Sequence, residues 1–183
     1  MSWLGSRKKE RKMILISLRG GTKTQRNLTE DAARYIIKQL LPRKRTLYLD
    51  IHIHNILKED AVGYCMRVDR NEYELELHNR GSLYEYISTL AHELVHLKQY
   101  DQAELRFKHM KQYWMGVDMT DVAYEKQPWE KEARKLQPLL AKDFIESETK
   151  YTVKECEELS PRTLKTMNWQ QEFNIIDRYC PDE

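Results

Sequence analysis

Residues 83–100, "LYEYISTLAHELVHLKQY", decide how the rest of the chain can be arranged. Apolar residues recur at intervals of three and four, the period of one buried helix face. Ser82 precedes this pattern and Glu85 lies three residues further on, a spacing that predicts a capping box at the helix start. We therefore expect a helix from Leu83 to about Tyr100. The residues of its buried face are Leu83, Ile87, Leu90, Leu94 and Leu97.

The same helix contains a His-Glu-x-x-His motif, His92 to His96. At about 100° per residue, the two histidines lie about 200° and 240° from Leu90, on the face opposite the leucines. They are one turn apart, so both imidazoles can bind one ion, and Glu93 can reach a water on that ion. The alternative is an ordinary surface helix with two solvated histidines. The half-buried setting of the motif favours the metal site.

A catalytic zinc site needs a third protein ligand besides two histidines. The extended pattern with a glycine and a third histidine is absent, because Gln99 and Gln102 occupy those positions. Three candidates remain: His109, within the basic stretch "RFKHMK", and Glu130 or Glu132, within "PWEKEA" at 128–133. Helical periodicity does not choose between the two glutamates. A pair of glutamates that only stabilises a helix start through the helix dipole is a further alternative.

Alternating patterns elsewhere predict strands at 13–18, 46–54, 62–68 and 72–78. The last two should form a hairpin around the turn residues 69–71.

The other segments are predicted from caps and prolines. Asn27 or Thr29 should cap a helix that ends at Leu41. Residues 105–127 are aromatic and irregular, and we expect a long connection with little regular structure. Pro128 should begin a second motif helix, which Pro138 should kink or divide.

Composition excludes several classes of protein. The 183 residues carry 31 basic and 29 acidic side chains, so no global basic field indicates nucleic acid or lipid as a partner. The basic residues of 1–12 are typical of a mobile terminus, and nucleic-acid binding there is a weakly supported alternative. The apolar run at 13–18 is too short for a signal or membrane segment. Three cysteines without a C-x-x-C pair indicate a reduced, cytoplasmic protein.

"HELVHLKQY" followed by "QPWEKEA" resembles the gluzincin metallopeptidases, and specifically the small SprT-like or minigluzincin proteins common in bacteria and phages. The resemblance implies Zn²⁺ held by His92, His96 and Glu130, with Glu93 as general base for peptide-bond hydrolysis. In the E-x-x-A pattern of that family, Ala133 is the small residue three positions after the ligand. The resemblance therefore favours Glu130 over Glu132 as the third zinc ligand.

The chain also departs from these families. It has neither the third histidine nor the cysteine zinc ribbon of SprT itself. Arg134 stands where some gluzincins have an acidic residue that orients a histidine ligand.

The expected fold is therefore α+β and zincin-like, with a small, twisted, mostly antiparallel sheet packed on the zinc helix and the glutamate-bearing helix closing the site. An edge strand should hold an extended protein or peptide substrate by strand addition. We expect this domain at 1–147 and a helical extension at 148–183, with a short helix at 161–176. The alternatives to a peptidase are an inactive zinc-stabilised binding protein and a DNA-associated protease of SprT-like type.

Other side chains have weaker assignments. The oxyanion of a peptidase needs a hydrogen-bond donor, and Tyr124, Tyr113 and His109 are candidates. An accessory metal site formed by three strand histidines competes with a solvated sheet face, and the polar neighbours favour the solvated face. Those histidines are His52, His54 and His78. Cys65 lies among apolar residues, which indicates an inert core position.

Overall fold

The computed structural model describes residues 13–55, 63–79 and 81–147. The expectations for the basic terminus at 1–12, for Val62 and for the extension at 148–183 with its helix fall outside these residues.

The described residues form an α+β fold with two sheets and three α-helices. In chain order the elements are β1 (Met13–Gly20), α1 (Lys23–Leu40), β2 (Thr46–His54), β3 (Gly63–Asp69), β4 (Glu72–His78), α2 (Leu83–Asp101), β5 (Leu105–Lys108), β6 (Lys111–Trp114), β7 (Val117–Asp118), a 3₁₀ turn (Tyr124–Lys126) and α3 (Pro128–Ser147). No helix among them has the length and apolar composition needed to cross a bilayer.

The four-stranded sheet has the order β1-β2-β4-β3. The β3–β4 hairpin is antiparallel, as predicted, but β1 pairs with β2 and β2 with β4 in parallel. The expectation of a mostly antiparallel sheet is therefore wrong for the sheet that supports α2. Helix α1 joins β1 to β2 as a crossover, and a crossover returns the chain to the same end of the sheet. Alternating hydrophobicity shows which face of a strand is buried but carries no information on strand direction.

Helices α1 and α2 pack on one face of this sheet, and α3 packs mainly on α2. Inward residues of β2 and β4 are at most 2% exposed, and the leucine stripe of α2 is at most 4% exposed. The predicted direction of the α2 leucines is thus confirmed. The capping box of Ser82 and Glu85 is also confirmed, because each side chain bonds to the backbone N–H of the other residue.

Helix α1 begins earlier than predicted. Its N-cap is Thr22, in a capping box with Gln25, so the expected caps Asn27 and Thr29 are wrong. The preceding Gly20 has φ +76°, and a Cβ there would lie 2.1 Å from the Ile53 carbonyl oxygen. This close approach to the neighbouring strand requires glycine. It places the turn, and with it the helix start, directly after β1.

One expectation for the second half of the chain is wrong, and of a second, that Pro138 kinks or divides the last helix, the division is wrong. Residues 105–127 are not irregular, since β5, β6 and β7 form a small antiparallel sheet within them. Their strands are short and mostly exposed on both faces, so they have no clean alternating pattern. Helix α3 is not divided at Pro138. Beyond the proline, Ala141 and Phe144 are at most 1% exposed, and this burial holds the last turns in the helix despite the lost hydrogen bond.

Candidate metal centre

Helices α2 and α3 pack against each other and bring the two sequence motifs together. His96 is 8% exposed and His92 is half-buried, both on the side of α2 that faces α3. On α3, Ala133 is fully buried and Glu130 is 5% exposed. A small residue at position 133 therefore lets the helices approach closely enough for Glu130 to reach the histidines.

The ligand atoms of His92, His96 and Glu130 all lie within 4.8 Å of one another. The two Nε2 atoms are 3.0 Å apart. The carboxylate oxygens of Glu130 lie 3.4 Å from His92 Nε2 and 3.3 Å from His96 Nε2. Among the residues that the structure describes, this is the one group of three or more such side chains with converging ligand atoms. These three residues are positioned to bind a metal ion.

Gln99 determines which nitrogen of His96 carries the proton. Its side-chain NH₂ donates to the Trp129 carbonyl oxygen, at 3.0 Å, and to Glu132 Oε2, at 2.8 Å. The amide oxygen is therefore the atom that faces His96 Nδ1, at 2.8 Å, and it accepts the Nδ1–H bond. A neutral His96 then presents the lone pair of Nε2 to the centre, as a metal ligand requires.

Gln137 has the corresponding position at His92. Its Oε1 atom lies 2.6 Å from His92 Nδ1. Arg134, noted above as a departure from the acidic residue of some gluzincins, is not an Nδ1 partner of either histidine among the described residues, and the group that orients His92 comes from the next turn of α3. The sequence reasoning assigned no role to either glutamine. Their spacing from the motif residues, three after His96 and seven after Glu130, was the available signal.

The arrangement of these three side chains favours the binding of a positive charge between them. In the tautomer that metal binding requires, with Nδ1 of each ring protonated, two Nε2 lone pairs and a carboxylate would face one another. Among the described residues, no group meets hydrogen-bond geometry with the buried Glu130 Oε2. Burial alone would raise the pKa of Glu130, but contacts with His92 and His96 lower it well below its usual range. Burial lowers the pKa of His96, but the contacts with Glu130, Glu93 and Gln99 together outweigh it and the net shift is upward.

Glu93 is buried beside this centre, at 6% exposure. Burial, more than any other cause, raises the pKa of its carboxyl group, and the negative charge of Glu130 adds to the effect. Its side chain packs against Gly63 at the start of β3. A Cβ at position 63 would lie 2.7 Å from Glu93 Oε1 and 2.9 Å from its Cγ. Glycine on the edge strand therefore leaves the space that the Glu93 carboxylate fills.

Glu132 and His109 lie outside the metal group. Glu132 accepts hydrogen bonds from Lys98, at 2.9 Å, and from Gln99, at 2.8 Å. It therefore binds the side chain of Gln99 on the side away from His96 and does not join the ligand group. His109 is exposed in the turn between β5 and β6, with φ +51°.

The two remaining oxyanion candidates, Tyr124 and Tyr113, have different surroundings in the structure. Burial and then the Glu130 carboxylate raise the pKa of the Tyr124 phenol, while Arg134 lowers it, so Tyr124 is a neighbour of the centre. Tyr113 lies within β6, where it pairs with Arg106 and Asp118.

The three strand histidines share one end of the outer sheet face without forming a second ligand group among the described residues. The rings of His52 and His54 lie 3.7 Å apart, and His54 pairs with His78 across the parallel strands. Cys65 is buried in the core, as predicted, and burial raises the pKa of its thiol well above the usual range.

Comparisons with protein-family models, with curated proteins and with solved structures give no significant match to this chain. The resemblance to gluzincins therefore rests on the two motifs.

Proposed function

We propose that the protein is a zinc-dependent metallopeptidase that hydrolyses peptide bonds. One observation carries the proposal: two histidine nitrogens and the Glu130 carboxylate converge, with the buried carboxyl group of Glu93 beside them. Two ligands on one helix, one on the next and a carboxylate between them form the arrangement that a His-Glu-x-x-His hydrolase needs.

The spacing of the ligand atoms supports zinc. With bond lengths of 2.0–2.1 Å and tetrahedral angles, ligand atoms lie about 3.3 Å apart. Here the two Nε2 atoms are 3.0 Å apart, and each lies 3.3–3.4 Å from a different oxygen of Glu130, so each of these distances is close to that value. Calcium and magnesium prefer sets of oxygen ligands, whereas two imidazoles and one carboxylate suit zinc. Three protein ligands leave the fourth position for water or substrate.

The chemistry then divides between the ion and Glu93. Bound zinc would supply a Lewis acid that polarises the substrate carbonyl and acidifies a water molecule. Glu93 takes the proton of the attacking water and returns it to the leaving amine. Because burial raises the pKa of this carboxyl group, it is a stronger base than an exposed glutamate.

Two further features are suited to binding the substrate. Strand β3 is an edge of the four-stranded sheet and begins at Gly63, next to Glu93. Its free edge can pair with an extended peptide and place it beside the general base. The Tyr124 hydroxyl, close to Glu130, is the best placed of the predicted donors to bind the oxyanion.

Metal content tests the ligand set. We expect one zinc per wild-type chain, lost in Glu130→Gln. The matched variant Glu132→Gln should keep its zinc, because Glu132 contacts Lys98 and Gln99 instead of the centre. Elemental analysis after dialysis provides the measurement. A metal-free wild type would remove the proposal.

Activity tests the role of Glu93. The Glu93→Gln variant should retain zinc and lose hydrolysis of an unstructured protein such as casein. If the wild type binds zinc and cleaves nothing in a broad peptide library, the chain is a zinc-stabilised binding protein instead.

A further inference from the structure

The rim of the metal centre carries a cation that the mechanism does not use. Arg134 lies on α3 about 40° around the helix from Glu130, and Gln137 lies about 20° from Glu130 in the other direction. Glu130 and Gln137 both reach the histidines. Arg134 therefore belongs to the same stripe of the helix, but its side chain is exposed.

An aromatic ring holds Arg134 at this position. Its guanidinium carbon lies 5.2 Å from the centroid of the Tyr124 ring. Arg134 also forms a side-chain hydrogen bond with Tyr124, and a guanidinium with five N–H donors keeps the others for further partners. Tyr124 itself neighbours Glu130, so the Arg134–Tyr124 pair lies beside the metal ligands.

The charge of Arg134 has no acidic partner among the described residues. Nine ion pairs form within 13–55, 63–79 and 81–147, and none includes Arg134. Lys98, a cation of α2 in this region, is already bound by Glu104 and Glu132. Among the described residues, the Arg134 guanidinium thus lies near the metal ligands without an acidic partner.

We propose that Arg134 binds a carboxylate of the substrate close to the scissile bond, so that the site selects acidic peptides. A planar guanidinium and a carboxylate form two parallel hydrogen bonds, and the charges attract. The carboxylate belongs either to an aspartate or glutamate side chain or to a free C-terminus. This inference rests on the proposed metal site and deepens the proposed hydrolysis.

Binding of small thiol ligands tests the inference without requiring catalysis. The zinc-loaded full chain is titrated with three probes: mercaptoacetyl-glutamine amide, mercaptoacetyl-glutamic acid α-amide and mercaptoacetyl-glutamine with a free carboxylate. The thiolate binds zinc in all three probes. The first probe has no carboxylate, the second has one on its side chain, and the third has one at its terminus. Because the pair forms at a solvent-exposed rim, the preferred acidic probe should bind about fivefold to tenfold more tightly than the neutral one.

Variants assign that preference to Arg134. In Arg134→Gln the ratio between acidic and neutral probes should fall to about one, with one zinc still bound per chain. The control Lys135→Gln removes an adjacent exposed charge about 100° further around α3, and it should keep the wild-type ratio. Equal binding of all probes to the wild type, or an acidic preference that persists in Arg134→Gln, overturns the inference.

The two proposals fail in different ways. Peptide cleavage without acidic preference leaves the hydrolase and removes the role of Arg134. An Arg134-dependent preference for acidic probes without cleavage of any peptide leaves the carboxylate site and removes the hydrolase. A chain that binds no metal removes both.

Discussion

Replacing Gln99 by methionine should weaken both the metal centre and the fold. Methionine has nearly the same length and volume as glutamine, so the change removes hydrogen bonds and leaves the packing almost unchanged. Gln99 is fully buried, and its amide bonds to His96 Nδ1, to the Trp129 carbonyl oxygen and to Glu132 Oε2. The variant deprives all three groups of a partner.

The loss of stability depends on how deeply each group that loses its hydrogen-bond partner is buried. The bonds to His96 and Trp129 are buried, and each unsatisfied group of this kind costs about 1–3 kcal/mol. The Glu132 side chain is 31% exposed and retains Lys98, so water can replace its lost bond at little cost. We therefore expect the free energy of unfolding to fall by about 2–6 kcal/mol in urea denaturation of the metal-free protein. Zinc affinity should fall by about 10–100-fold, because the His96 ring is no longer oriented.

Gln137→Met is the matched comparison. It removes one bond, to the half-buried ring of His92, and water can reach that position. Its loss of stability should stay below about 1 kcal/mol. Competition with a chromophoric chelator measures zinc affinity for each variant. The reasoning is refuted if Gln99→Met loses stability while its zinc affinity stays within about twofold of the wild type, since an orienting role requires a larger loss.

Further predictions concern the general base, the pH dependence and the oxyanion. Gly63→Ala should retain zinc but slow hydrolysis by about tenfold or more, because the new Cβ displaces the Glu93 carboxylate; wild-type turnover would contradict this. Burial alone lowers the pKa of His96, but Glu130, Glu93 and Gln99 together raise it overall, so the metal-free protein should lose stability as the pH rises above 6.5 and through the raised pKa. Zinc should stabilise the protein increasingly over the same pH range. Thermal unfolding with and without a chelator measures the stability of the metal-free and the zinc-bound protein, and the same pH dependence for both would count against the site. Tyr124→Phe should bind zinc normally and lose about 10²–10³ in kcat if its hydroxyl binds the oxyanion; an unchanged kcat would exclude that role.

The sequence alone determined the features that depend on neighbours along the chain. Its helical period and capping box fixed the bounds of α2 to within a residue at either end, and the same period placed the histidines opposite the leucines. Alternation found the strands of the main sheet. These signals are local, because a helix face and a strand face repeat within a few residues.

Only the tertiary structure decided which strands are parallel, which glutamate faces the histidines and which groups orient their rings. Glu130 and Glu132 have similar positions relative to the apolar stripe of α3, so periodicity left them equivalent. The packing of α3 on α2 separates them: Glu130 faces the Nε2 atoms, while Glu132 lies behind Gln99. These choices depend on contacts between residues far apart in the chain, such as Gln99 and Glu132, or on which of several nearby side chains faces a ring, and a local pattern encodes neither.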